Sequence, residues 1–232
     1  MIGKGFVTTG HRRFTRPDNG RFEYRIWPRL THPAVSILHR SWPLVDAERR
    51  ADIYLVHASS HRALVKLRDG DRLEIKRRGD CVGSVEYWTM PISAKFPLAT
   101  AESDALTDAL ALPEALPADA SLSPAHLLAA LDARGRPVVP KVVPQTVRKS
   151  RLLFRSGLCR AEVCRVVAGG WARLTVALEA PDIPSIAAAI EELHLGVLPN
   201  RSYGEVLVNL ADAQTDRRRL SSTIPCGDEG GG

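Results

Sequence analysis

The sequence predicts an α+β fold: eight antiparallel strands closing into a β-barrel or tunnel, with helices packed on the outside. Three observations carry this. Six segments alternate charged and apolar residues at a period of two, so each has one dry face and one face carrying charge. Tight Gly and Asp turns join most of the strands, as in antiparallel sheets that curl or close. Amphipathic helical stretches complete the chain, and they need an apolar surface to cover, which the dry faces supply if they turn outward. The charged faces then line the interior.

The first strand is expected over 20–28, with Arg21, Glu23 and Arg25 on one face and Phe22, Tyr24 and Ile26 on the other. Strands follow at 53–58, at 62–68 (Lys66 and Arg68 against Val65 and Leu67) and at 71–78 (Arg72, Glu74, Lys76 and Arg78 against Leu73 and Ile75). Asp69-Gly70-Asp71 is the hairpin turn between the last two. The fifth, 83–89, sets Glu86 against Val85 and Tyr87. An Ala/Leu-rich helical insertion occupies about 100–134, with helix starts at Ser103-Asp104 and Ser123-Pro124 separated by Pro113 and Pro117. Three more strands are expected at 145–154 (Lys149, Arg151), 159–167 (Glu162, Cys164) and 171–180 (Arg173, Thr175, Ala177, Glu179), the last two joined by Gly169-Gly170. Asp182-Ile183-Pro184 opens a helix with Ile186, Ile190 and Leu193 at helical spacing, and Tyr203 to Leu210 begins another. The expected organisation is a flexible segment 1–19, one domain 20–212 and a disordered polar tail 213–232, in which Arg217-Arg218-Arg219 is solvated.

Composition narrows the function. The chain has 232 residues, 44% apolar and 25% charged, and no apolar run reaches the roughly 18 residues of a membrane helix. Its first twenty residues lack a signal-peptide pattern, so a cytoplasmic location is the expectation. Cys81, Cys159, Cys164 and Cys226 form no CxxC pair, which argues against a zinc site or a disulfide framework. A net charge of +6 points to acidic partners: phosphates, nucleotides or nucleic acid. Only 6% of residues are aromatic and the basic residues alternate with acids, which disfavours nucleic acid. Trp27 and Trp88 read as packing residues.

One alternating strand by itself marks a solvated sheet face with cross-strand ion pairs. Six in concert favour a charged interior. Burying those ions costs several kcal/mol each unless they are paired, hydrated or neutralised by a ligand, so a basic-dominated interior suits a polyanion.

In order and spacing these segments resemble the CYTH superfamily of triphosphate tunnel enzymes, as a divergent bacterial member. Glu23 and Arg25 match the end of its opening acidic motif, Val65-Lys66-Leu67-Arg68 with Leu73-Glu74-Ile75-Lys76 its basic hairpin, and Lys149-Ser150-Arg151 its later basic strand. Leu178-Glu179-Ala180-Pro181-Asp182 resembles its acidic strand running into a helix, and Asn200-Arg201-Ser202-Tyr203 its closing segment. The resemblance covers about 20–210 and departs at two positions, where Arg21 and Ala177 stand in place of glutamates. It implies a metal-dependent phosphohydrolase acting on a triphosphate or short inorganic polyphosphate. Arg25, Lys66, Arg68, Lys76, Lys149, Arg151 and Arg173 would bind the substrate. Glu23 and Glu179 would be the catalytic carboxylates holding Mg²⁺ or Mn²⁺, with Glu162 and Glu74 as further ligands. Glu74 reads equally well as a charge partner of Lys76. The two departures support an alternative, a non-catalytic member that binds a phosphorylated ligand, and a nucleic-acid-binding protein is the third class.

Overall fold

A computed structural model describes residues 20–113, 116, 122–133 and 142–222, apart from the side chains of 132, 133 and 214–222. Eight strands form a closed antiparallel barrel: β1 (Arg21–Ile26), β2 (Leu44–Val56), β3 (Ala63–Arg68), β4 (Arg72–Val82), β5 (Val85–Lys95), β6 (Val143–Ser156), β7 (Cys159–Ala168) and β8 (Trp171–Ala180). Their order around the barrel is β1-β5-β4-β3-β2-β6-β7-β8, and β8 closes on β1 with Glu23 opposite Glu179. This is the α+β architecture that the CYTH resemblance implies.

The dry faces turn outward, as the helices require. Helices α1 (Pro33–Ser41) and α4 (Ile183–Glu192) cover one wall, where Phe22, Tyr24 and Ile26 meet Leu38, Leu178 and Ile186. Helices α2 (Thr100–Leu110) and α3 (Pro124–Ala133) cover another, where Val65, Leu67, Leu73 and Ile75 meet Leu106, Leu110 and Leu127. Asp182 caps α4 by accepting from the Ser185 amide at 2.8 Å, with Pro184 in the first turn.

Several elements differ from the sequence reading, among them β4 and β5, which run on to Val82 and Lys95. The first strand is followed by α1, which has no Ser, Thr, Asp or Asn at its start; the Nδ1 of His32 accepts from the Ala34 amide instead. Strand β2 begins at Leu44 rather than 53, because the outward residues of its first half, Ala47, Arg49 and Ala51, are exposed and show no apolar periodicity, while pairing with β6 holds them. Helix α2 begins at Thr100, so Ser103 is buried inside it beside Leu106 and Leu110 rather than starting it.

The last helix, α5 (Tyr203–Ser222), continues through the expected start of the tail at 213, and 223–232 lie outside the described residues. Its opening is a capping box: Glu205 accepts from the Ser202 amide at 2.9 Å, and Ser202 Oγ accepts from the Glu205 amide at 3.3 Å. Tyr203, Leu207 and Ala211 pack on Val56, Val147, Val166 and Ala168, so part of the barrel interior is apolar and meets α5. Gly204 makes this approach possible. A Cβ there would stand 2.0 Å from the Ser60 carbonyl oxygen, and Gly204→Ala is expected to destabilise the protein by about 1–3 kcal/mol, read as a lowered urea midpoint at unchanged m-value.

Candidate functional site

The charged faces converge on one cavity of about 350 Å³, which lies within the size range of small-molecule sites, roughly 300–1,000 Å³. Eight cationic side chains line it (Arg25, Arg50, Lys66, Arg68, Lys76, Lys149, Arg151, Arg160), as do five carboxylates (Glu23, Glu74, Glu86, Glu162, Glu179), a net of three positive charges. Lys66, Arg68, Lys76 and Lys149 therefore face a common space, as the tunnel reading requires.

Glu162 is the hub on one side. It accepts from Arg25 Nη1 at 3.1 Å, from Arg151 Nε at 2.7 Å and from Arg151 Nη2. Strand register explains the first contact: Arg25, Ala177 and Glu162 lie in one row across β1, β8 and β7, and small Ala177 leaves room for the guanidinium to cross. Burial alone would raise the Glu162 carboxyl, but Arg25, Arg151 and Lys149 pull it down to about 2. Arg151 also reaches Glu48.

Opposite, Glu74 holds Lys66 Nζ at 2.7 Å and Arg68 Nη1 at 3.1 Å; burial opposes its ionisation, yet these cations keep it below its ordinary value. Glu86 accepts from Arg78 at 2.7 Å and from the Trp88 indole at 2.9 Å, so Trp88 is a wall residue of the cavity as well as a packing residue. Trp27 packs against Trp171 and Tyr203.

Lys149 is 3% exposed and donates to Asp52 Oδ2 at 2.7 Å and to the Tyr54 hydroxyl at 2.6 Å. Tyr54 and Tyr203 stack with centroids 5.7 Å apart, and the Lys149 ammonium lies 4.5 Å from the Tyr203 ring centre. Burial lowers the Lys149 ammonium to about 8, with Asp52 opposing the shift. The cavity is therefore expected to lose one positive charge as pH rises through about 8, visible as a Lys149 Nζ titration by NMR with its midpoint near 8 instead of the ordinary 10.5.

Glu23 and Glu179 share Lys76, which donates to Glu23 at 2.5 Å and lies 4.0 Å from Glu179. Burial, with Glu179 alongside, raises the Glu23 carboxyl above its ordinary value despite Lys76, and the two carboxylates hold the ammonium above its own. The four carboxylates proposed as metal ligands do not converge, because Glu162 and Glu74 are each closed by two cations of the chain. Among the described residues, no three His, Cys, Asp or Glu side chains form a group that could hold a metal ion.

Arg173 stands apart from the other expected site residues. β1 ends at Ile26 opposite Val176, so no strand flanks β8 on that side at residue 173, and the exposed Arg173 turns over the Trp171 ring. Expected to bind substrate, Arg173 does not line this cavity. Arg21 is also exposed and donates to the Gly20 carbonyl at 3.3 Å.

Two cations of the cavity are absent from the sequence reading. Arg160 shares the inward face of β7 with Glu162, a period-two signal present in the chain, and makes no ion pair among the described residues. Arg50 had no such signal, since its half of β2 shows no periodicity. It lies 3.1 Å from Glu48 and 3.5 Å from Asp52, but its buried Nε and Nη1 are not directed into a hydrogen bond. A second compartment of about 260 Å³, walled by Val45, Leu153 and Ala177, shares Arg151, Arg160, Glu162 and Glu179 with the first.

No protein-family model and no curated protein matches the sequence. Solved structures of similar shape include a conserved hypothetical protein from Pyrococcus furiosus (14% identity, covering 80% of this chain and 98% of that one, TM-score 0.47). A Hippeastrum protein described as having a dominant triphosphatase activity is 10% identical over 83% of this chain and 95% of its own, at a TM-score of 0.45. An RNA triphosphatase of S. pombe is 10% identical over 88% and 84%, at 0.31. At such identities and scores these are likenesses of shape, without functional weight.

Proposed function

We propose that the barrel interior is a cytoplasmic binding tunnel for a phosphate chain, either inorganic triphosphate or short polyphosphate or the phosphate end of a small organic molecule, and that the chain is a divergent member of the CYTH superfamily. The observation that supports this best is the cavity lined by eight cations against five carboxylates. A phosphate chain accepts charge-assisted hydrogen bonds from such cations. The adjoining compartment, walled in part by Val45, Leu153 and Ala177, has room for an organic substituent. Nucleic acid fits less well, because the eight cavity cations face inward.

Metal-assisted hydrolysis is the second reading, favoured by the facing pair Glu23 and Glu179. Those two carboxylates would hold Mg²⁺ or Mn²⁺, which when bound would polarise a phosphoryl group and orient water. Glu162 and Glu74, committed to their cations, do not join them, and Lys76 already occupies the space between the pair. As it stands the donor set does not fit a divalent ion.

Titration calorimetry with tripolyphosphate, ATP and thiamine triphosphate tests the binding reading. Saturable binding that weakens with added salt is expected; no binding to any of the three at low salt would refute it. Phosphate release in Mg²⁺ or Mn²⁺, compared with Glu23→Gln, separates the readings: release above the variant would assign hydrolysis.

A further inference from the structure

The carboxylates of the tunnel differ in how they are neutralised. Glu162 and Glu74 each face two cations, whereas Glu23 and Glu179 face each other across β1 and β8 with the Lys76 ammonium beside both. An ammonium offers three donors and a compact charge, so one side chain can bridge two carboxylates and keep a proton for a ligand oxygen. Among the neighbouring inward positions, Ala177 has no donor atom, Arg21 is exposed beyond the cavity and is itself a cation, and Glu86, opposite Glu23 on β5, is committed to Arg78 and the Trp88 indole. A divalent ion entering here would meet an ammonium already in place and a lining with three surplus positive charges. The Coulomb cost of a cation is largest in such a partly dehydrated space.

We propose that Lys76 takes the place of a divalent cation in this tunnel, so that the phosphate chain binds as the uncomplexed anion. The proposal rests on the phosphate-chain reading for its ligand, but its metal arm does not. Lys76 draws the pair of carboxylates together and presents a fixed positive charge, while the arginines and Lys66 neutralise the rest of the chain. Mg²⁺ in solution competes by complexing the ligand and is not a bridge to the protein.

The test has two parts. In calorimetry, tripolyphosphate binds the wild-type protein at least as tightly in EDTA as in Mg²⁺; an affinity that rises about tenfold or more with Mg²⁺ overturns the proposal. In the second part Mn²⁺ alone is titrated and followed by its paramagnetic resonance signal. Wild type takes up none, while Lys76→Gln, which frees Glu23 and Glu179, takes up the ion. Uptake by wild type, or none by a folded Lys76→Gln, overturns the proposal. Should Lys76→Gln fail to fold, Lys76→Arg, which keeps the charge, is expected to bind tripolyphosphate equally in EDTA and Mg²⁺, and dependence on the ion counts against it. Absence of tripolyphosphate binding in both buffers removes the phosphate-chain reading, and the Mn²⁺ titration still judges Lys76.

Discussion

Replacing Glu162 with Gln is expected to lower folding stability by about 3–5 kcal/mol while tightening the binding of tripolyphosphate. The carboxylate is 11% exposed and, among the described residues, is the ion-pair partner of Arg25 and one of two for Arg151. Without it, Arg25 loses its ion-pair partner and Arg151 keeps only Glu48 in a partly dehydrated wall, and that cost falls on the folded state. The same change adds a positive charge to the cavity, so a phosphate chain inherits both guanidiniums and restores stability by mass action. Urea denaturation with and without tripolyphosphate reads both effects; a loss below about 1 kcal/mol would show that the hub is effectively solvated. The pH dependence has a definite sign. Because the folded-state value of about 2 lies below the ordinary 4.5, Glu162 contributes stability that is fully present above pH 4.5 and is lost as pH falls from 4.5 towards 2. Acid unfolding of Glu162→Gln is expected to be shallower than that of wild type across this window.

Arg50→Met is expected to weaken tripolyphosphate binding by about ten- to a hundredfold with little change in stability, taking about 1.5–3 kcal/mol for a hydrogen bond to a charged group. Met keeps the aliphatic volume. The lost Nε and Nη1 donors make no directed hydrogen bond within the chain, and Asp52 retains Lys149. Calorimetry and thermal unfolding on the same variant decide the matter. Unchanged affinity with a large loss of stability would mean that Arg50 serves the wall and not the ligand.

Much of this architecture was legible from alternation alone. Arg21-Phe22-Glu23-Tyr24-Arg25-Ile26 tells which side chains share a face, and the need of amphipathic helices for cover tells which face turns out. Arg160 was within reach of the same rule, two residues from Glu162. Arg50 was not, since the exposed half of β2 is held by its pairing with β6 and its outward face packs under no helix. Arg173 obeys the alternation and still leaves the cavity, because β1 ends before it. The apolar part of the interior under Tyr203 and Leu207 also contradicts a lumen charged throughout: Val147 and Val166 share the inward face with Lys149 and Glu162 but pack against α5.

Alternation with a period of two within a few residues sufficed for the core of each strand, its sidedness and the basic excess of the inward faces, but not for the first half of β2. Only the tertiary structure decided which charges meet. Arg25 reaches Glu162 across 137 residues, and Lys76 reaches Glu23 across 53. Such pairings depend on the register of several strands around a closed barrel, and no local pattern encodes it. That Lys76 stands beside Glu23 and Glu179 was decided there too, by its place on β4, two strands away from β1.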